Sequence, residues 1–141
     1  MPDIRHLVEI NAPADVVYRA VTEQAGLAAW WTGTCKAEPK VGAVLVFDFD
    51  DRYHNEMRVT KLVPDRRAEW ECIVSVEEWI GTTITFDIQR QDDLTILRFS
   101  HAGWREASDF LAKCNYHWGY YMHSLKQYCE TGRGTPHPKS G

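Results

Sequence analysis

From Ser108 to Gly132 the apolar residues Leu111, Cys114, Trp118, Tyr121, Met122, Leu125 and Cys129 recur at steps of three and four, which predicts an α-helix with one apolar stripe. Ser108 and Asp109 can cap the orphan amides of its first turn, and Gly132 supplies a left-handed stop. At about 1.5 Å per residue such a helix spans roughly 35 Å, enough to cross a small sheet. Asn115 is a poor interior helix residue, so a bend is expected at Cys114-Asn115-Tyr116.

Ahead of this helix the period falls to two. Ile4 to Ile10 places His6, Val8 and Ile10 on one side and Arg5, Leu7 and Glu9 on the other, as a strand does. Asn11-Ala12-Pro13 ends it. Val16, Val17, Ala20 and Val21 then recur at helical spacing, with Pro13 suited to the first turn, and a second short helix is expected from 23 or 24 to Trp30. Further strands are predicted at 34–37, 43–50, 57–63, 68–76, 81–90 and 94–101, parted by turn chemistry such as Asp50-Asp51-Arg52, Pro64-Asp65-Arg66 and Gln91-Asp92-Asp93. The clearest has Ile84, Phe86 and Ile88 facing one way and Thr83, Thr85, Asp87 and Gln89 the other.

Such short links require antiparallel neighbours, because a parallel return needs a crossover of a dozen or more residues. The prediction is an α+β fold: a curved antiparallel sheet of six to seven strands wrapped around the long C-terminal helix, with two short helices after the first strand. A curved sheet does not press flat on a straight helix. The gap between them is either filled by large side chains or left as a pocket. Residues 1–132 are read as a single domain, and the Gly-, Pro- and Ser-rich 133–141 as a flexible tail.

Composition narrows the partners. The net charge of −4, with basic residues scattered among acidic ones, argues against nucleic acid. No apolar run reaches the eighteen or so residues of a membrane span, and the first ten residues lack a signal-peptide pattern, so a cytoplasmic protein without membrane partners is expected. Cys35, Cys72, Cys114 and Cys129 are far apart with no C-x-x-C pair, which reads as four free thiols.

Residues 10–22 (INAPADVVYRAVT), Leu27 to Trp31, Trp79 to Thr82, His101 to Trp104, Trp118, Ser124 to Lys126 and Glu130 to Gly132 follow one another in an order and spacing that resembles the START-like (SRPBCC, Bet v 1-like) proteins. The likeness is to the branch related to the C-terminal domain of the activator of Hsp90 ATPase. It covers nearly the whole chain. The resemblance implies a helix-grip fold around a mostly apolar cavity. It also implies binding of a hydrophobic molecule, cofactor-independent cyclase, aromatase or hydrolase chemistry, or, by analogy only, a chaperone partner.

Six tryptophans are available to line such a cavity or to fill it. Strand parity, the helix stripe and the resemblance together give the ligand-binding candidates Trp30, Trp31, Phe47, Phe49, Met57, Trp70, Trp79, Phe86, Phe99, Trp104, Trp118, Tyr121, Met122 and Leu125. Trp118, Tyr121, Met122 and Leu125 would form its floor, and Trp104 with residues 108–113 its gate. For an enzyme the candidates are His54, Glu56 and His101, as general bases or polar anchors. The competing reading is a hydrogen-bonded histidine at a strand end. His117 and His123 lie about 240° apart on the helix, and no nucleotide, nucleophile-elbow or zinc spacing is present, so neither cofactor nor metal is expected. A small hydrophobic ligand and a non-enzymatic role are the favoured reading, with a homodimer as a further expectation.

Overall fold

The computed structural model describes residues 1–138. In chain order the elements are β1 (Ile4–Ile10), α1 (Ala14–Ala20), α2 (Gln24–Trp30), β2 (Cys35–Lys36), β3 (Val44–Phe49), β4 (Tyr53–Val63), β5 (Arg67–Val74), β6 (Thr83–Gln91), β7 (Leu94–Ala102) and α3 (Asp109–Thr131). The strands form one seven-stranded sheet in the order β1-β7-β6-β5-β4-β3-β2, and every pairing is antiparallel. The α+β architecture, the closing helix and the two short helices all match the sequence pattern.

The three hairpin turns expected from acidic residues each use an aspartate in the left-handed region, Asp50, Asp65 and Asp92, at φ 57, 65 and 56°. Aspartate tolerates that conformation better than most side chains. Register shifts between Glu56 and Met57, and again between Val59 and Lys61, put bulges into the β4–β5 ladder. Bulges bend a strand and raise its twist, which helps the sheet to curl.

α3 is capped as its sequence proposes. The Ser108 hydroxyl accepts a hydrogen bond from the Leu111 amide at 3.2 Å, and Gly132 ends the helix at φ 86°. The expected bend is not there: α3 runs without a break from Asp109 to Thr131, and Asn115 sits on its exposed side. A solvated Asn costs only its modest helix propensity, which is too little to break a helix held by tertiary packing.

α3 lies in the concave side of the sheet, but most of the space between them is solid. Trp30, Trp70, Phe47, Phe86 and Phe99 are each under 2 % exposed, and their rings contact one another in T-shaped, tilted and stacked pairs. α1 and α2 close one end. There the two helices cross so tightly that a Cβ on Gly26 would lie 2.6 Å from the Ala20 Cα and 2.8 Å from its carbonyl oxygen. That same carbonyl accepts the Trp30 indole N–H at 2.7 Å. Gly26→Ala is therefore expected to push the helices apart and cost roughly 1–3 kcal/mol, as overpacking does, read as a lower urea midpoint at unchanged m-value.

Six residues of the expected tail are described, and they have partners. Residues 133–138 fold back over α2 and α3: the Thr135 amide donates to the Ser124 hydroxyl at 2.7 Å and the His137 amide to the Trp31 carbonyl at 2.8 Å. The Gly33 amide donates to the His137 carbonyl, also at 2.8 Å. A Cβ on Gly134 would lie 2.5 Å from the Ala29 carbonyl, so a small residue permits this close passage. Composition records Gly and Pro in this segment but not the backbone partners it meets beside α2 and α3. Residues 139–141 of that tail lie outside the described residues.

Candidate functional site

Where the aromatic packing stops, a cavity of about 360 Å³ opens between the first half of α3, the β3–β4 hairpin, the β5–β6 loop and the returning chain at His137. α3 contributes Phe110, Lys113, Cys114, His117, Trp118 and Tyr121, the i, i+3, i+4, i+7, i+8, i+11 series of one helix face. Their spacing is as regular as that of the apolar stripe. It carries basic residues as well as aromatic ones, so hydrophobicity alone does not reveal it.

The base of the cavity is a run of indoles. Trp31 and Trp118 stack at 5.0 Å with 29° between their planes, and Trp118 and Trp79 at 6.1 Å with 15°. Phe49 meets Trp31 edge-on at 5.4 Å and Tyr121 at 6.3 Å. The polar groups of the lining are Asn55 and Ser75, joined to each other at 2.6 Å, together with Arg52, Tyr53, Lys113, Tyr116, His117, Tyr120 and His137. His137 is tied to the hairpin tip, its Nε2 lying 3.0 Å from an Asp50 carboxylate oxygen. Burial raises the Tyr121 phenol above its ordinary range, helped by Tyr120, so it stays a neutral donor. The Cys114 thiol is pushed up to about 11, chiefly by burial, which leaves it protonated and weakly nucleophilic.

Of the ligand-binding candidates, Trp31, Phe49, Trp79, Trp118 and Tyr121 line this cavity. Trp30, Phe47, Met57, Trp70, Phe86, Phe99, Trp104, Met122 and Leu125 are buried in the packed core instead. Inner strand parity selects both groups alike, since core and pocket wall both call for large apolar side chains. Trp104 packs against His101 at 5.0 Å and Phe110 at 6.1 Å beneath the cavity, while Phe110 and Lys113 of the expected gate do reach it.

The catalytic candidates separate. β4 begins at Tyr53, four residues earlier than the sequence suggests, and its alternation turns Tyr53, Asn55 and Met57 inward and His54 and Glu56 outward. On that outer face His54 bridges two carboxylates, Asp48 at Nδ1 (2.5 Å) and Glu56 at Nε2 (2.7 Å). Its pKa is raised by the bonds to Glu56 and Asp48, which hold it as the cation. His101 points inward and is fully enclosed. Its Nδ1 accepts the Trp118 indole N–H at 3.1 Å, so its proton sits on Nε2 and is donated to the Thr82 hydroxyl at 2.8 Å. Thr82 in turn donates to the Trp79 carbonyl. Burial drives the His101 pKa down to about 3, and both ring nitrogens are already engaged. The chain from the Trp118 indole through His101 and Thr82 to the Trp79 backbone carbonyl holds Trp118 and the start of the β6 segment together, with the Trp79 ring edge-on to His101 at 4.6 Å. None of His54, Glu56 and His101 lines the cavity.

A curved sheet gripping a helix over an aromatic pocket defines an α+β helix-grip protein. The family model for "Activator of Hsp90 ATPase homolog 1-like protein" matches residues 11–130, and the chain belongs to that family. Among solved structures it is similar to the Aha1 dimer of Colwellia psychrerythraea, at 35% identity and a TM-score of 0.87, covering 95% of this chain and all of that one. DynU16, from the dynemicin biosynthetic locus, shares the fold at 23% identity and a TM-score of 0.77, over 94% of this chain and 48% of its own. CalU16 of Micromonospora echinospora does so at 18% and 0.75, over 89% and 73%. No curated protein matches the sequence. Among the described residues, no helix is long and apolar enough to cross a membrane.

Proposed function

We propose that this domain binds a small, flat hydrophobic or aromatic molecule in the cavity beside the first half of α3. One observation carries the reading: in an interior otherwise closed by interlocking rings, a space of about 360 Å³ stays open on a base of three stacked indoles. Small-molecule sites are of roughly 300–1,000 Å³, mostly apolar, with a few fixed polar groups, and this one falls at the small end of that range. Its aromatic floor is preorganised, because the Trp118 indole is held by His101 and the Trp79 ring packs edge-on against the same histidine at 4.6 Å, so neither has to be ordered by the ligand.

The test is a titration with a neutral fluorescent aromatic, N-phenyl-1-naphthylamine, against the wild type and Val76→Trp. Val76 stands on the cavity wall in the β5–β6 loop and is only partly buried, so an indole there fills the space without entering the core. Binding with quenching of intrinsic tryptophan emission is expected for the wild type, weakened about tenfold or more in the variant, a change of roughly 1.4 kcal/mol or above. A wild type that leaves the probe unbound, or a variant that binds it equally well, sinks the proposal.

A further inference from the structure

The lining of the cavity is one-sided in charge. Arg52 enters from the β3–β4 turn and Lys113 from α3, with His117 one turn further along the helix and His137 on the returning chain. Among the described residues that form this lining there is no aspartate or glutamate. The imbalance is local, since the chain as a whole carries four more acidic than basic side chains. One carboxylate outside the lining, Asp50, lies 3.0 Å from His137 at the hairpin tip. The others nearby belong to the adjoining groove, where Glu77, Glu78 and Glu106 accompany Arg105 beside Tyr53, Val76 and Phe110, which line the cavity as well. There Glu78 accepts from the Ser108 hydroxyl at 2.6 Å, and Arg105 is spent on the Glu77 carbonyl at 3.0 Å. Positive charge is thus concentrated at the aromatic pocket and negative charge beside it.

Resting on the reading above, we infer that the ligand is an aromatic acid: a flat ring system seated on the Trp31, Trp118 and Trp79 indoles, with a carboxylate or similar anion held between Arg52 and Lys113. An anionic group gains charge-assisted hydrogen bonds from both cations and is repelled by the glutamates of the adjoining groove, which fixes the ligand's direction as well as its sign. Tyr53 and Tyr121 bring phenol hydroxyls to the same lining. A cationic aromatic would meet the opposite: like charge at the walls, and no aspartate or glutamate among the described residues of the lining to neutralise it.

The experiment compares three probes of one ring system, 2-naphthoate, methyl 2-naphthoate and 2-naphthylmethylammonium, by calorimetry at low salt on the wild type, Arg52→Gln and Lys113→Gln. Both substituted side chains are exposed, and unchanged melting curves verify that the variants fold. The expected result is naphthoate bound about tenfold more tightly than its ester, the ammonium most weakly, and about a fivefold loss of naphthoate affinity in each variant with the ester unaffected. Naphthoate affinity should also fall as salt screens the two cations. Equal affinity for acid and ester, preference for the ammonium, or naphthoate binding indifferent to both substitutions overturns the acid assignment while leaving the pocket in place. Failure of all three probes to bind the wild type overturns the pocket reading together with it.

Discussion

Lowering the pH from 6.5 to about 4 is expected to strip roughly 3 kcal/mol from the wild type that a His101→Gln variant does not lose. His101 has a folded pKa of about 3 because burial disfavours its charged form, against 6.5 for the free side chain. Below 6.5 the unfolded chain binds a proton that the native state refuses. Stability from this group is therefore complete above 6.5 and drains as pH falls toward 3, at about 1.4 kcal/mol per pH unit. Gln can still accept from the Trp118 indole and donate to Thr82, but it does not titrate. The measurement is urea unfolding of both proteins at half-unit pH steps. Parallel acid limbs for the two would mean that His101 is protonated in the native state, contrary to its enclosure and its Nδ1 acceptor role. His54 works in the opposite sense: its raised pKa contributes stability that is present below 6.5 and lost as pH rises, and being half exposed it contributes little. Glu130, lowered by the Asn11 amide and Lys126, belongs with the losses on acidification but lies near the surface.

The same histidine marks what could be read from the sequence and what could not. Its place at a strand end and its inward parity follow from the alternation of β7, and a hydrogen-bonded histidine was the competing reading there. Its partners lie 17 and 19 residues away: Thr82 reaches it through the β6–β7 ladder, and Trp118 only when α3 crosses the sheet. The helix ends, the strand alternation and the hairpin turns were legible because each depends on neighbours within a few positions. The start of β4 was set four residues late because His54, Asn55 and Glu56 follow directly on the Asp50-Asp51-Arg52 turn and look like more of it until Asp48 and Glu56 are known to flank His54 on the outer face. The pocket was the hardest part. Phe86 and Trp118 carry the same inward signal, yet Phe86 is walled in by Trp30, Trp70 and Phe99 while Trp118 has open space on one side. Depth along the grip separates them, and depth is a property of the sheet's curl, not of any residue. Arg52, Lys113 and His117 were passed over for a related reason, since solvent-facing charge on a hairpin and a helix is the ordinary condition.

Trp118 is where core, pocket and buried histidine meet, and its removal should have the largest effect of any single truncation. Its ring is 2 % exposed and lies 4.5 Å from Phe99, 5.0 Å from Trp31, 6.1 Å from Trp79 and 6.0 Å from His101, while its N–H supplies the hydrogen bond that His101 Nδ1 accepts. Trp118→Ala is expected to cost about 3–5 kcal/mol, the range for a buried aromatic, or roughly 10–20 °C in Tm for a domain of this size. Trp118→Phe divides that cost, because it keeps an aromatic ring in the stack but leaves the histidine nitrogen without its donor. A loss of about 1–3 kcal/mol is expected from the unsatisfied acceptor together with the smaller ring. Tyr116→Ala, two residues away on the 77 % exposed side of the same helix, should stay within about 0.5 kcal/mol. Thermal melts of the three variants decide the matter. If Trp118→Phe matched wild type, the hydrogen bond to His101 would carry no net stability. If Trp118→Ala cost no more than Tyr116→Ala, α3 would not be held to the sheet through this ring, and the indole base of the proposed site would lose its physical support.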